Sequence, residues 1–234
     1  METSDRGVLE IMEMEGVVPT VYYDSTGLET YGVGHTAGAG SPNPANMSKA
    51  WPTDVNAAIK LAMAQFRRDL KIYEARVNRH VKMPIAQHKY DALIGFDFNT
   101  GGVYYRTKSG KMANAKLVTA INRGDPNASD HFFGWVKPPE LRKRRTMEKH
   151  LFDTGDYDAN GDQIPVWRTD GRGKLIGRYS VLDGQTALAM LGRTMPARPS
   201  TPAPTAPGSA TRTSVIAAAF TALGALAAYL LDLF

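Results

Sequence analysis

The stretch EGVVPTVYYDSTGLETYGVGH, at residues 15–35, decides the fold of this chain. Its two β-prone runs flank the turn sequence Asp24-Ser25-Thr26-Gly27, which predicts a β-hairpin. The residues before it, 4–14, begin with a serine suited to capping and carry apolar side chains on one side, which predicts a helix. Glu15 therefore lies at the end of a helix, and Asp24 lies at the tip of a hairpin.

Two carboxyl groups in these positions have opposite protonation preferences. The partial negative charge at a helix C-terminus disfavours ionisation of Glu15, and burial would favour the protonated form that a general acid needs. Asp24 in a polar turn ionises easily. Such a pair facing a cleft is typical of a glycosidase, and Thr30 on the second strand is placed to hold a water molecule. The spacing alone also fits a solvated Glu and an ordinary turn Asp.

The rest of the folded region is mostly helical. Residues 37–52 are rich in Gly and Pro and predict a loop, and a long helix is expected over 53–80, capped by Thr53. Further helical patterns cover 84–98, 111–123, 138–153 and 184–192. One small sheet followed by helices indicates an α+β fold rather than a parallel α/β fold.

Composition excludes several kinds of chemistry. The 234 residues contain no cysteine, which rules out disulfides, thiol nucleophiles and Cys-ligated metal sites. The net charge of +5 favours an acidic polymer as partner. The basic run 137–149 lacks the aromatic residues of a nucleic-acid site, so we interpret it as a solvated helix face or a patch that attracts an anionic cell wall, with no nucleic-acid partner.

The C-terminal part differs in composition and suggests three segments: a folded domain at 1–193, a Pro/Ala/Thr-rich linker at 194–213 and an apolar segment at 214–234. Residues 215–231 carry no charge, which favours a transmembrane helix. The alternative is an Ala-rich helix that docks on protein or lies on a membrane surface. The first five residues lack the pattern of a secretory signal.

The motifs resemble the phage-type (T-even phage) lysozymes of glycoside hydrolase family 24. Glu15-Gly16, Asp24, Thr30 and the Gly-x-Gly-His at 32–35 are similar to the active-site segment of that family. The central-helix pattern at 87–102 and the Arg-Arg-x-x-Glu helix at 141–152 resemble later segments of the family, in the same order.

The resemblance implies a two-lobed lysozyme-like fold with a small N-terminal sheet, a long connecting helix and a helical C-terminal lobe. It implies an N-acetylmuramidase of the endolysin type that cleaves the β-1,4 bond between N-acetylmuramic acid and N-acetylglucosamine, without a metal or cofactor. Glu15 would be the proton donor, and Asp24 and Thr30 would position the water. Predicted substrate-binding residues are Gly34, His35, Asn99, Gly101 and Gly102. For His35, a structural hydrogen bond or ion pair is the favoured alternative.

The same resemblance implies a phage or prophage protein that is made in the bacterial cytoplasm and acts on periplasmic peptidoglycan. We expect a monomeric soluble domain, membrane association through 214–234 and delivery assisted by a holin. The alternatives are a lytic transglycosylase, which has no use for Asp24, and a non-catalytic wall-binding or virion module.

One further motif, Asp156-x-Asp158-x-Asn160-Gly161-Asp162, resembles the start of a calcium loop. Its twelfth position is Trp167 rather than Glu, and Pro165 blocks an exiting helix. We therefore interpret it as an Asn-Gly hairpin turn that leads into a strand at 164–167.

Overall fold

The architecture was established from a computed structural model, which describes residues 1–157 and 162–193. The helices are α1 Asp5–Glu15, α2 Val55–His80, α3 Gln87–Thr100, α4 Lys116–Asn122, α5 Leu141–Thr154 and α6 Gly184–Met190. The strands are β1 Val18–Tyr23, β2 Glu29–Gly32, β3 His35–Thr36, β4 Tyr104–Arg106, β5 Met112–Asn114, β6 Gln163–Thr169 and β7 Leu175–Asp183. The described strands form three antiparallel sheets, β1-β2-β3, β4-β5 and β6-β7. The predicted α+β class is confirmed.

Helix α1 begins and ends as the sequence predicts. The Ser4 side chain accepts a hydrogen bond from the Gly7 amide at 3.0 Å, which satisfies one of the free donors of the first turn. At the other end Gly16 adopts φ 74°, a conformation that glycine tolerates and that turns the chain into β1. Glu15 is therefore held at the last helical position.

The long helix α2 packs against both the β1-β2-β3 sheet and helix α3. Its apolar stripe, buried in one continuous core, consists of Ile59, Met63, Phe66, Leu70 and Val77. The predicted cap Thr53 is wrong by one residue: Asp54 accepts from the Ala57 amide at 2.9 Å.

The predicted helix at 111–123 is only partly correct. Helix α4 begins at Lys116, because the preceding residues pair as the β4–β5 hairpin. The turn of that hairpin is closed by a hydrogen bond from the Thr107 amide to the Lys111 carbonyl at 2.8 Å, with Gly110 at φ 78°. A 3-10 helix at Ala128–Trp135, which the sequence pattern did not predict, places Phe132 against Phe96 with ring centroids 5.3 Å apart.

The region after residue 156 forms the β6–β7 hairpin. The strand predicted at 164–167 lies within β6, as expected. The proposed Asn-Gly turn falls on residues 158–161, which lie outside the described residues. Within residues 1–157 and 162–193, no group of three or more His, Cys, Asp or Glu side chains could hold a metal ion.

The predicted linker at 194–213 and apolar segment at 214–234 also lie outside the described residues. Within the described ranges, no helix has both the length and the apolar character needed to cross a bilayer.

Glu10 is a buried acid in the middle of α1. It is 4% exposed, and its Oε1 has no hydrogen-bond partner in the described part of the chain. Burial, reinforced by the charges of Glu13, Asp162 and Asp156 and opposed by Arg6, raises its pKa to about 9. The folded protein therefore keeps this carboxyl protonated at neutral pH.

We expect Glu10→Gln to raise the Tm, and to raise it more at about pH 8 than at about pH 5. In the unfolded chain Glu10 ionises near its ordinary pKa of 4.5, so the stability due to protonated Glu10 is complete below that pH and is lost as pH rises towards about 9. Gln imitates the protonated side chain and removes this loss. Thermal unfolding at both pH values is the measurement, with exposed Glu140→Gln as control; an equal Tm change at both pH values would contradict the assignment.

Candidate active site

Glu15 is buried at the end of α1, with 5% of its surface exposed. Its Oε1 accepts a hydrogen bond from an Nη atom of Arg144, which is itself buried on α5. The backbone turns sharply after it, and a Cβ on Gly16 would lie 2.4 Å from the indole nitrogen of Trp167. Any other residue at position 16 would clash with Trp167, so the structure requires a glycine directly after Glu15.

Arg144 belongs to a buried charge network that links three helices. Its Nε donates to Oε1 of Glu148 at 3.0 Å, and an Nη of Arg145 lies 3.0 Å from the same oxygen. Arg145 also donates to Oδ1 of Asn99 on α3 at 2.5 Å. The charges of Glu15 and Glu148 raise the pKa of Arg144 despite its burial, whereas burial lowers the pKa of Arg145 to about 10. Glu15 thus shares one cation with a second buried carboxyl.

The interpretation of residues 137–149 as a solvated face is wrong for Arg144 and Arg145, which are 6% and 0% exposed. Arg142 and Lys143 on the same helix are exposed, as expected. The sequence contains the signal: Arg144, Arg145 and Glu148 share three- and four-residue spacing with the apolar residues Leu141 and Leu151, so they lie on the inward face.

Asp24 is half-buried in the β1–β2 turn. Its Oδ1 accepts hydrogen bonds from the Thr26 amide at 2.8 Å, the Thr26 hydroxyl at 2.7 Å and the Leu28 amide at 2.9 Å. All three bonds use Oδ1, and they stabilise one orientation of the carboxylate. The turn therefore fixes the orientation of the Asp24 carboxylate before any ligand binds.

Thr30 and Tyr22 lie on the two strands on either side of the Asp24 turn. Thr30 is directly opposite Tyr22 in the β1–β2 register and is 1% exposed, with its hydroxyl donating to the Leu28 carbonyl at 3.2 Å. Burial raises the pKa of the Tyr22 phenol well above its ordinary value, and the charges of Glu15 and Asp24 raise it further. The structure thus places Glu15 and Asp24 within electrostatic reach of the same tyrosine.

The β6–β7 hairpin forms backbone hydrogen bonds with the segment between Glu15 and Asp24. The sequence did not predict these contacts. The Val17 amide donates to the Pro165 carbonyl at 2.8 Å, and the Trp167 amide donates to the Val17 carbonyl at 2.9 Å. Further along, the Tyr23 amide donates to the Gly173 carbonyl at 2.8 Å. The hairpin is therefore hydrogen-bonded to the chain close to Glu15 and again directly before Asp24.

His35 lies on β3 and is 1% exposed. Its Nδ1 is 2.9 Å from Oδ2 of Asp69 on α2, and its Nε2 is 2.6 Å from the Pro42 carbonyl. These contacts agree with the structural alternative for His35. A substrate contact by this ring would require one of them to break, so the structure gives the substrate-binding prediction for His35 no support.

The remaining predicted substrate residues lie around α3. Gly34 has φ 72° and packs against the Phe98 ring, Asn99 is buried beside Arg145, and Gly101 ends α3 with φ 60°. A Cβ on Gly102 would lie 2.9 Å from the Trp135 ring. Their contacts with a ligand stay predictions.

Comparison with known proteins agrees with this arrangement. The sequence model of the family described as Phage lysozyme matches residues 12–148, a range that includes Glu15, Asp24, Thr30 and the Arg144 network. The chain belongs to the phage lysozyme family. Membership confirms the resemblance and the expected enzyme class, a lysozyme-type glycoside hydrolase of the endolysin kind.

Two endolysins match over nearly their whole length and over about two thirds of this chain. The endolysin of Acyrthosiphon pisum secondary endosymbiont phage 1 is 29% identical, covering 66% of this chain and 99% of that protein. The endolysin of Salmonella phage P22 is 28% identical, covering 65% and 98%. Among solved structures, the endolysin from Escherichia coli O157:H7 phage FAHEc1 is 25% identical with a TM-score of 0.53, covering 67% of this chain and 96% of its own. A P22 lysozyme mutant is 27% identical with a TM-score of 0.51, covering 65% and 98%. These likenesses confirm the lysozyme-like fold.

Proposed function

We propose that this phage lysozyme is an N-acetylmuramidase that hydrolyses the β-1,4 bond between N-acetylmuramic acid and N-acetylglucosamine in peptidoglycan, leading to lysis of a bacterial host. The observation that carries the proposal is the difference between the surroundings of the two acids: Glu15 is buried beside the Arg144 cation, and Asp24 is fixed at a hairpin turn by three hydrogen bonds. These environments differ in the way that a proton donor and a water-directing base require.

Glu15 is the proposed proton donor to the leaving glycosidic oxygen. It lies buried at the C-terminus of α1, and its Oε1 accepts a hydrogen bond from the guanidinium of Arg144. The Nε of the same guanidinium donates to Glu148 at 3.0 Å, so Arg144 is itself held in place. The network therefore holds the Glu15 carboxyl in one position.

Asp24 is the proposed base that orients the attacking water, with Thr30 completing the water site. The three hydrogen bonds to Oδ1 fix the carboxylate plane, and the Thr30 hydroxyl lies on the strand that leaves the same turn. As the water oxygen bonds to C1 of the muramic acid, the bond between C1 and the glycosidic oxygen breaks, and that oxygen takes the Glu15 proton. Asp24 accepts the proton that the water loses.

The expected result for Asp24→Asn is a fall in peptidoglycan turnover of about a hundredfold or more, with the fold unchanged. Asn keeps the oxygen that accepts the turn hydrogen bonds but lacks the charge that takes a proton from water. Release of reducing ends from isolated sacculi by the purified full chain is the measurement.

Asp170→Asn is the matched control for this substitution. Asp170 occupies the same kind of turn, where its Oδ1 accepts from the amides of Arg172 and Lys174. Loss of turnover in Asp170→Asn but not in Asp24→Asn would exclude the proposed role of Asp24. An unsubstituted chain that binds sacculi without turnover would favour the non-catalytic alternative.

Membrane association through residues 214–234 and delivery with a holin are further parts of the proposal, and they rest on the sequence alone. Fractionation of cells that express the full chain or residues 1–193 tests them. We expect the full chain to sediment with membranes and the shorter chain to stay in the supernatant; full chain in the supernatant would contradict a membrane anchor.

A further inference from the structure

The β6–β7 hairpin carries a surface that the proposed mechanism does not use. Here the aromatic–arginine patch means Trp51, Arg168 and Tyr179. The Trp51 and Tyr179 rings lie 5.3 Å apart at 54°, and the Arg168 guanidinium lies over the Trp51 ring, 5.5 Å from its centroid. Tyr179 is 47% exposed, and Arg168 is exposed as well.

The patch includes the exposed residues of the hairpin. Trp167 is buried in a cluster with Tyr22 and Val18, whereas the next residue, Arg168, is exposed. Tyr23 on β1 is also exposed and lies under the Lys49 ammonium, 5.3 Å from its ring centroid. Buried and exposed aromatic residues thus lie close together in this region.

The backbone around the patch is held firmly. The Thr20 hydroxyl on β1 is within hydrogen-bond distance of the carbonyls of Ser48 and Ala50, at 3.0 and 3.1 Å, which anchors the segment carrying Trp51. On the other side the Tyr23–Gly173 hydrogen bond anchors the hairpin. The rings are therefore positioned before any ligand binds, which reduces the entropy cost of binding.

Charge indicates the class of ligand. From 165 to 181 the hairpin carries four basic residues, Arg168, Arg172, Lys174 and Arg178, and one acidic residue, Asp170. Arg168 is exposed, and its guanidinium lies over the Trp51 ring, 5.5 Å from the centroid. The patch offers flat apolar rings and a cation side by side, and residues of these types dominate binding surfaces.

We propose that the aromatic–arginine patch is a second binding site for the peptidoglycan strand, outside the catalytic cleft. Sugar ring faces would lie on Trp51 and Tyr179, and a carboxylate of the strand would pair with Arg168. The proposal rests on the proposed function, because that function makes peptidoglycan the polymer present at the neighbouring cleft. Arg168 and Tyr179 lie beyond the residues matched to the phage lysozyme family.

The test measures binding of the full chain, carrying Glu15→Gln to prevent turnover, to isolated sacculi by sedimentation. The double variant Arg168→Ala/Tyr179→Ala is expected to weaken binding by about tenfold. The double variant Arg168→Lys/Tyr179→Phe keeps the positive charge and the aromatic ring, and it is expected to bind sacculi more tightly than Arg168→Ala/Tyr179→Ala but less tightly than the parent. If the double variant unfolds, Tyr179→Ala alone is used, with an expected loss of about threefold.

Two matched controls separate the patch from general surface effects. Arg142→Ala removes an exposed guanidinium that lies over Phe133, 5.4 Å from the ring centroid, on a different part of the surface. Leu61→Ala removes an apolar side chain that is 65% exposed on α2. Each control is expected to bind sacculi within about twofold of the parent.

Parallel titrations use phosphatidylglycerol vesicles and duplex DNA as probes. Unchanged binding of the double variant to sacculi would overturn the proposal, as would equal losses in the two controls. A loss confined to vesicles or DNA would also overturn it and assign the patch to that polymer. A loss on sacculi from the patch alone would support it even if the wild-type chain showed no turnover, so the two proposals fail separately.

Discussion

Glu15→Gln is expected to lower peptidoglycan turnover by about a thousandfold or more while the protein stays folded, because Gln has no proton to give to the leaving oxygen. The fold should tolerate the change since Arg144 keeps its second carboxyl partner, Glu148, at 3.0 Å. Turnover of isolated sacculi and the thermal unfolding curve are the two measurements.

Glu13→Gln is the control for this prediction. Glu13 is also buried and lies on the same helix, but two residues earlier, about 200° around the helix axis, so its side chain lies on a different side of α1 from that of Glu15. It should retain turnover. A Glu15→Gln protein that still degrades sacculi would remove Glu15 from the mechanism.

Arg144→Ala has the second large effect, on stability as well as on catalysis. Removing the guanidinium leaves Glu15 and Glu148 buried without their shared cation, and breaking a buried pair in this way costs about 3–5 kcal/mol. Burial already raises the pKa of Glu148 in the intact protein. The free energy of unfolding should therefore fall most at neutral pH and less in acid, where these carboxyls are protonated in both states.

Arg144→Ala should also lower peptidoglycan turnover, because Glu15 loses the hydrogen bond from the guanidinium that holds its carboxyl in place. Arg144→Lys keeps a cation at this position and should restore turnover in part. Exposed Arg142→Ala should change the unfolding free energy by less than about 0.5 kcal/mol. Unchanged turnover of isolated sacculi by Arg144→Ala would contradict the proposed role of Arg144 beside the acid.

Local patterns in the sequence predicted the elements that hold the proposed catalytic groups. The Ser4 cap, the glycine after Glu15 and the Asp24–Gly27 turn each act over a few residues, so the end of α1 and the tip of the hairpin could be located without a structure. The long α2 followed in the same way from its apolar spacing.

Contacts between distant segments could not be predicted in this way. Arg144 was assigned to a solvated face because the basic run 137–149 lacks the features of a nucleic-acid site. Its burial depends on Glu15 from α1 and Glu148 from its own helix, which compensate the cost of removing the charge from water. The contacts of β6–β7 with Val17 and Tyr23 are backbone hydrogen bonds, which leave no side-chain pattern in the sequence.

In the proposed mechanism, water directed by Asp24 and Thr30 ends a reaction that Glu15 begins by protonation. Mass spectrometry of the fragments released from sacculi in ¹⁸O-labelled water tests this mechanism. We expect reducing N-acetylmuramic acid ends that carry one ¹⁸O atom. Unlabelled 1,6-anhydro ends would contradict it, because they form when the sugar's own hydroxyl replaces water, as in a lytic transglycosylase.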